Sequence, residues 1–278
     1  MPVFSHSKLS AFELCPAKYK FAYVEKVQTG KEFVEPFMGR RVHESLRFLY
    51  SRLASGSVPP IDEVLLNYDG NWEGKFHSNV EVVREGEFDA SYYRGEGVKC
   101  IENYYFSHHP FDAEGGVVGL EKPFFMRLGG DYSIRGVIDR ISLLDGTLEV
   151  HDYKTTQEMP SREEILSSRQ LGFYQMGVQA ANPSAQSVES IFHFLRFGKS
   201  VRSSRSKAEL DVLSFETMRL IRKIEAAERA NDFPASPSEL CHWCEFKGMC
   251  PAYSKGKDEF PIALKNGGKA RNAKPGDF

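Results

Sequence analysis

The stretch that most constrains the fold is an Asp-Gly pair, Asp145-Gly146, set between GVIDRISLL (136–144) and TLEVHDYK (147–154). Asp and Gly tolerate the positive φ of a two-residue type I′ turn, whose twist matches the flanking strands, so the pair predicts a β-hairpin. That turn fixes a register in which Leu144 faces Thr147, Ile141 faces Val150, Asp139 faces Asp152 and Val137 faces Lys154. With a period of two, Val137, Asp139, Ile141 and Leu143 share one face with Leu148, Val150, Asp152 and Lys154, and that face is the apolar one. The two aspartates then fall on a non-hydrogen-bonded rung, where Cα atoms approach to about 4.5 Å. Like charges directly opposite one another destabilise a sheet. Carboxylates in apolar company are also costly to desolvate, unless they share a proton or a cation lies between them. A divalent cation offsets both costs, with Lys154 neutralising part of the charge or positioning a water. The competing expectation is a bulge that displaces one aspartate and leaves Lys154 in a surface ion pair. The apolar neighbours favour the cation.

At 278 residues the chain is long enough for a substantial core, and its 41% hydrophobic and 27% charged residues are ordinary for a soluble globular protein. No apolar run approaches the ~18 residues of a membrane span, and MPVFSHSKLS has no signal-peptide core, so a cytoplasmic protein without membrane contact is expected. With 36 basic against 38 acidic residues, nucleic-acid binding can rest only on local patches. CPAKYKFAYVEK (15–26) interleaves lysines with aromatics, which suits stacked bases and phosphates as well as it suits an amphipathic helix with its rings inward. RFGKSVRSSRSK (196–207) reads as an exposed basic loop suited to a phosphate backbone.

Four of the five cysteines form a pattern: Cys241, Cys244 and Cys250 in CHWCEFKGMC, with Cys15 far upstream. Close thiols in an intracellular chain point to metal ligation rather than disulfides. Four thiolates suit zinc or an iron–sulfur cluster, and the spacing does not choose between them. Cys100 reads as a small apolar residue on a helix.

Helices are expected over 7–27 with a break at Cys15-Pro16, over 38–56, 89–108 and 207–230, and through SSRQLGFYQMGVQAAN. SGSVPPIDE (55–63) reads as a loop, and 115–130 as a strand, a turn and the start of another strand carrying Glu121, either a third acid for the metal or a surface charge. SVESIFHFLRFGKS supplies a further strand, and strands flanked by helices give an α/β or α+β core. Residues 1–253 are expected to be one domain, and 254–278, rich in Gly, Lys and Pro, a flexible tail.

Taken in order, CP at 15–16, VHE around His43, GVID ending at Asp139, DYK at 152–154, QLGFY and the terminal cysteine triplet resemble the PD-(D/E)XK nucleases, specifically their RecB-like exonuclease branch. The resemblance implies a restriction-endonuclease-like α/β core, a central mixed sheet flanked by helices, with the two ends of the chain joined by a [4Fe-4S] cluster on Cys15, Cys241, Cys244 and Cys250. It implies Mg²⁺ or Mn²⁺ held by His43, Asp139, Asp152 and Tyr153, Lys154 as the catalytic lysine beside both aspartates, and Gln170 and Tyr174 as DNA-positioning groups. The activity implied is a deoxyribonuclease, an exonuclease on single-stranded DNA or DNA ends, in repair, recombination or CRISPR adaptation, with a helicase or a CRISPR integrase as partner. The alternative is a non-catalytic iron–sulfur DNA-binding subunit of a helicase–nuclease complex. Ile138 stands where the eponymous motif has Pro.

Overall fold

The structure is a computed structural model and describes residues 1–84, 86–112 and 115–253; the tail expected at 254–278 lies outside them. The chain runs β1 (Val3–Phe4), α1 (His6–Leu14), α2 (Pro16–Tyr19, prolonged by a π-helical turn at Lys20–Val24), β2 (Glu32–Phe33), α3 (Val34–Ala54), α4 (Ile61–Lys75), β3 (Val80–Glu81) and α5 (Ala90–His108). It continues through β4 (Gly116–Leu128), β5 (Tyr132–Leu144), β6 (Thr147–Lys154), α6 (Arg162–Leu166), α7 (Arg169–Ala181), β7 (Ser187–Phe194), β8 (Lys199–Ser203) and α8 (Lys207–Ala230).

Local chemistry sets most boundaries. Pro16 opens α2 at a position where its missing N–H costs nothing, and Cys15 before it is extended. A capping box of Ser206 and Glu209 starts α8, and Asn231 in the left-handed region ends it. Two expectations fail. The predicted loop 55–63 stops at Pro60, because Asp62 and Glu63 sit in the first turn of α4, where acids favour the helix dipole. Residues 116–128 form one continuous strand through Pro123, which is tolerated because β4 pairs on one side only, with β5; the turn comes later, at Gly129-Gly130.

The architecture is a mixed α/β fold with a six-stranded sheet in the order β1-β5-β6-β7-β8, β4 lying against β5. β4, β5 and β6 are successive antiparallel strands, while β6 and β7 are parallel and joined through α6 and α7. β4 occupies one edge of β5 along nearly its full length. β1 and β6 therefore share the other edge, β1 at Ser133–Ile134 and β6 from Arg140 onward. A fork is left between them.

Helices cover both faces. Val42, Leu46, Leu49 and Tyr104 of α3 and α5 pack with Tyr153 on one side, and Leu171 and Val178 of α7 with Ile141 and Val150 on the other. Burial on both faces explains polar residues deep in the strands. Arg140 is fully buried with its guanidinium 3.8 Å from the centre of the Tyr50 ring, and it donates to His151 Nδ1 at 2.8 Å. That same nitrogen accepts from His193 Nε2 at 2.9 Å, His193 Nδ1 lies 2.8 Å from Ser200 Oγ, and His151 Nε2 donates to Ser142, which donates to Glu149. One consistent set of donors runs through the chain only if both imidazoles are neutral.

Burial, reinforced by Arg140, holds both imidazoles well below their ordinary pKa. The unfolded chain thus binds more protons than the native one below about pH 6.5, so the stabilisation is complete above that pH and lost as the pH falls. Denaturant melts between pH 7 and 5 should show stability dropping by up to about 1.4 kcal/mol per pH unit for each histidine. A flat profile would show that neither ring is held neutral in the native state.

Candidate active site

The turn at Asp145-Gly146 has the positive φ pair of a type I′ hairpin (+49° and +82°), and Leu144 pairs with Thr147 and Ile141 with Val150 as expected. The register ends at Arg140–His151. Asp139 is missing from both ladders: the pairs to β4 skip from Arg140–Leu120 to Ile138–Lys122, and those to β6 stop one residue short. The direct Asp139–Asp152 rung and the shared face are therefore corrected. Between the two β4 pairs that flank Asp139 stands Glu121, a non-glycine residue at φ +47°. Asp139 meets α3 at His43, whereas Asp152 and Lys154 are held by α7, and both carboxyl groups open into the same space. Asp139 stands at the fork, where its Oδ2 accepts from the Tyr153 N–H at 2.9 Å in place of a ladder bond.

Both aspartates still line one cleft of about 480 Å³, with His43, Glu121, Tyr153, Lys154, Gln170 and Tyr174. His43, on α3, places Nδ1 3.3 Å from Asp139 Oδ1 and Nε2 2.8 Å from the Tyr153 carbonyl. Burial lowers its pKa, but the Asp139 charge and hydrogen bond outweigh that and carry it up to about 9. Burial likewise raises Asp139, and His43 with the Tyr153 N–H more than reverses it, so this carboxyl lies below its ordinary value. Ligand atoms of His43, Glu121 and Asp139 all lie within 4.8 Å of one another. Tyr153 can reach this group only through its main chain, since its ring is buried in the core against Tyr104 and His193.

Asp152 faces α7. Its Oδ1 accepts from Tyr174 at 2.7 Å and Gln170 at 3.0 Å, while the Lys154 ammonium lies 2.9 Å from Oδ2. That second oxygen is buried and accepts no hydrogen bond of good geometry. Burial raises Asp152 above its ordinary value; Lys154 pulls it down and Asp139 pushes it back. Gln170 spends its remaining capacity inward, accepting from Lys154 at 2.8 Å and donating to the Tyr174 hydroxyl at 2.7 Å. At four residues' separation on α7 these two side chains form a bracket for Asp152 and Lys154.

The four cysteines predicted to act together do converge. Cys15, Cys241, Cys244 and Cys250 line one cavity of about 40 Å³ with Lys18, Phe246 and Tyr253. Backbone N–H groups of Ser236 and Ser238 donate to the Cys15 and Cys241 sulfurs at 3.4 Å each. Cys100 is buried alone on α5, where burial pushes its thiol up to about 12. The expected basic loop is instead strand β8 with its flanks, and its arginines have partners within the protein: Arg196 is tied to Glu96 and the Thr155 carbonyl, Arg202 to Glu149 and Glu189, and Arg205 to the Leu166 and Ser168 carbonyls. Near the start of the chain, Tyr19 is fully buried and Phe21 packs on Phe246 beside the cysteines. No helix among the described residues is long and apolar enough to cross a membrane.

The family model of the PD-(D/E)XK nuclease superfamily matches residues 3–251. The chain belongs to that superfamily. Two curated relatives align with this PD-(D/E)XK chain along nearly their whole length. The Gene 69 protein of Mycobacterium phage L5 is 23% identical over 91% of the chain and 97% of its own length, and that of Mycobacterium phage D29 is 20% identical over 91% and 98%. A crystal structure of a candidate exonuclease from Eubacterium rectale aligns over 86% of each chain, at 12% identity and a TM-score of 0.46.

Proposed function

We propose that this PD-(D/E)XK chain is a deoxyribonuclease that hydrolyses phosphodiester bonds with Mg²⁺ or Mn²⁺, acting as an exonuclease on single-stranded DNA or DNA ends. The observation that carries this reading is the convergence of His43, Glu121 and Asp139 within 4.8 Å, in a cleft that Asp152 and Lys154 also line and that is large enough for a nucleotide. Carboxylate oxygens with one imidazole suit a hard divalent cation, and Asp139, Glu121, His43 and Asp152 would hold it. When bound, such an ion supplies a water acidified towards neutral pH and neutralises charge on the phosphate.

The chain's own residues do the rest. The Lys154 ammonium, fixed between Asp152 and Gln170, orients the attacking water and offsets charge growing on the phosphoryl oxygens. Gln170 and Tyr174 keep Lys154 and Asp152 from collapsing into other pairings, so their part in positioning DNA is exercised through these two groups. Arg47, exposed at the rim of the cleft, is available to a backbone phosphate. Lys154→Met, which keeps the length and loses the charge, should lower kcat by about 10²- to 10³-fold with KM nearly unchanged, because the charge acts in the transition state. A rise in KM alone would make Lys154 a binding group.

We read the cysteine cavity as the seat of a [4Fe-4S] cluster, with zinc as the alternative. A single zinc at about 2.3 Å from each sulfur draws its ligands to within about 4 Å of one another. The four sulfurs, drawn from both ends of the chain around one cavity, suit a cube in which each has its own iron. The N–H donors at Cys15 and Cys241 suit thiolates. Brown protein absorbing near 400 nm with iron bound is the expected result; a colourless zinc protein would reverse the assignment.

The test of the activity is incubation of end-labelled single strands and a circular substrate with the protein and Mn²⁺. Shortening from an end with the circle intact is expected. Binding without cleavage would favour the non-catalytic DNA-binding subunit, and repair, recombination or CRISPR adaptation, with a helicase or integrase partner, is the setting such an exonuclease would serve.

A further inference from the structure

A second cavity, of about 380 Å³, lies on the far side of Lys154 and Gln170, which line both it and the active-site cleft. The segment after β6 alternates between the two: Thr155 and Gln157 line the cleft, Thr156 the second cavity. Nothing in the catalytic arrangement uses this space.

Its lining is unusual in what it leaves unpaired. Thr156 is 7% exposed, yet its Oγ1 is buried without a hydrogen-bond partner. The same holds for His6 Nδ1 and Arg169 Nε, whose residues also line the cavity. Buried polar atoms are almost always satisfied, and three orphans around one cavity point to a group that arrives from outside. The opening turn of α7 borders the same space, and its N-cap Ser168 makes no side-chain cap, so the positive end of a 13-residue helix faces the cavity uncapped. Of the acids present, Glu13 is held by Arg169 and Glu164 by the Ser161 N–H. Ile165, Phe192 and Phe194 provide an apolar wall. Burial, with the charges of Arg169 and Lys154, pushes His6 down to about 3, so at neutral pH its ring carries one N–H and one acceptor.

Resting on the nuclease reading above, we propose that this cavity seats a phosphate of the single strand next to the phosphate being cut, so that the strand crosses the wall made by Lys154 and Gln170. Thr156, His6 and the α7 amides hold the phosphate oxygens, Arg169 stays with Glu13, and the apolar wall takes the sugar and base. A strand thereby gains an advantage over an isolated phosphodiester.

The experiment is a coupling cycle between protein and substrate. Single-stranded oligonucleotides carrying one neutral methylphosphonate at successive positions are compared with the all-phosphate strand, on the parent protein and on Thr156→Val/His6→Leu. Cleavage is measured with Mn²⁺, and binding by fluorescence anisotropy in EDTA. In the parent, neutralising one flanking phosphate should weaken both by about tenfold, the size of one charge-assisted hydrogen bond. In the variant that penalty should shrink below twofold, with the all-phosphate strand itself about tenfold worse. A purely structural defect would lower every substrate alike and keep the penalty intact, which overturns the proposal, as does a parent indifferent to every flanking position. A coupling seen in binding while the parent cleaves nothing would retain the seat and defeat the nuclease reading. Displacement of the labelled strand by thymidine 5′-monophosphate from the parent alone, without any strand coupling, would assign the cavity to a released product and overturn the strand assignment.

Discussion

Asp139→Asn is expected to remove metal-dependent DNA cleavage almost completely, by at least ~10³-fold in kcat/KM, well beyond the 10- to 100-fold that follows loss of a partner around a metal ligand. Asp139 is the group on which both halves of the site depend. One oxygen faces the His43 ring and the other takes the Tyr153 N–H at the fork of the sheet. Asparagine preserves the shape but removes the charge that a divalent ion requires. It also leaves His43 without the carboxylate that raises its pKa. The fold should survive, with a thermal midpoint within about 5 °C of the parent, because the lost ion pair is worth only a kcal/mol or two. Strand binding in EDTA should persist. Undiminished cleavage by this variant would place the chemistry elsewhere in the cleft.

The second large effect is expected at Cys15. Cys15→Ser should abolish the absorbance near 400 nm and lower the thermal midpoint by on the order of 10 °C or more, since metal held between distant segments contributes directly to folding free energy. Serine leaves local packing nearly unchanged, so the loss reports on ligation. Cys100→Ala is the matched control: that thiol is buried on α5, away from the other four, and its loss should cost about 1 kcal/mol of packing and none of the colour. Equal melting of the two variants, with colour retained in both, would rule out a cluster on Cys15.

The hairpin was legible because an Asp-Gly turn is a purely local instruction, and its register holds from Leu144 to Arg140. Alternation then failed at the residue that matters most. Period-two reasoning assumes an unbroken ladder, and the β5–β6 ladder ends at Arg140–His151, one rung before the aspartates, which no local pattern announces. The aspartates line one cleft, but across a fork rather than a rung. His43 is a solitary helical histidine until the fold brings Asp139 to it. Gln170 and Tyr174 were visible as one helical face, whereas their targets were not. The Arg140–His151–His193 chain was missed because charged residues alternating with apolar ones imply a solvated face, and here α3 and α5 cover it. The basic loop at 196–207 misled for a related reason: its arginines find acids and carbonyls supplied by segments remote in sequence.

Cys15 meets Cys241, Cys244 and Cys250 across almost the whole length of the polypeptide. During synthesis the first of these residues leaves the ribosome long before the others exist, so the sheet and its flanking helices can organise while that corner is still open. A cluster inserted there would arrive last. Supply of that component, rather than translation, would then decide how much of the newly made protein reaches its locked form, and starved cells would accumulate a chain that is folded but unlatched.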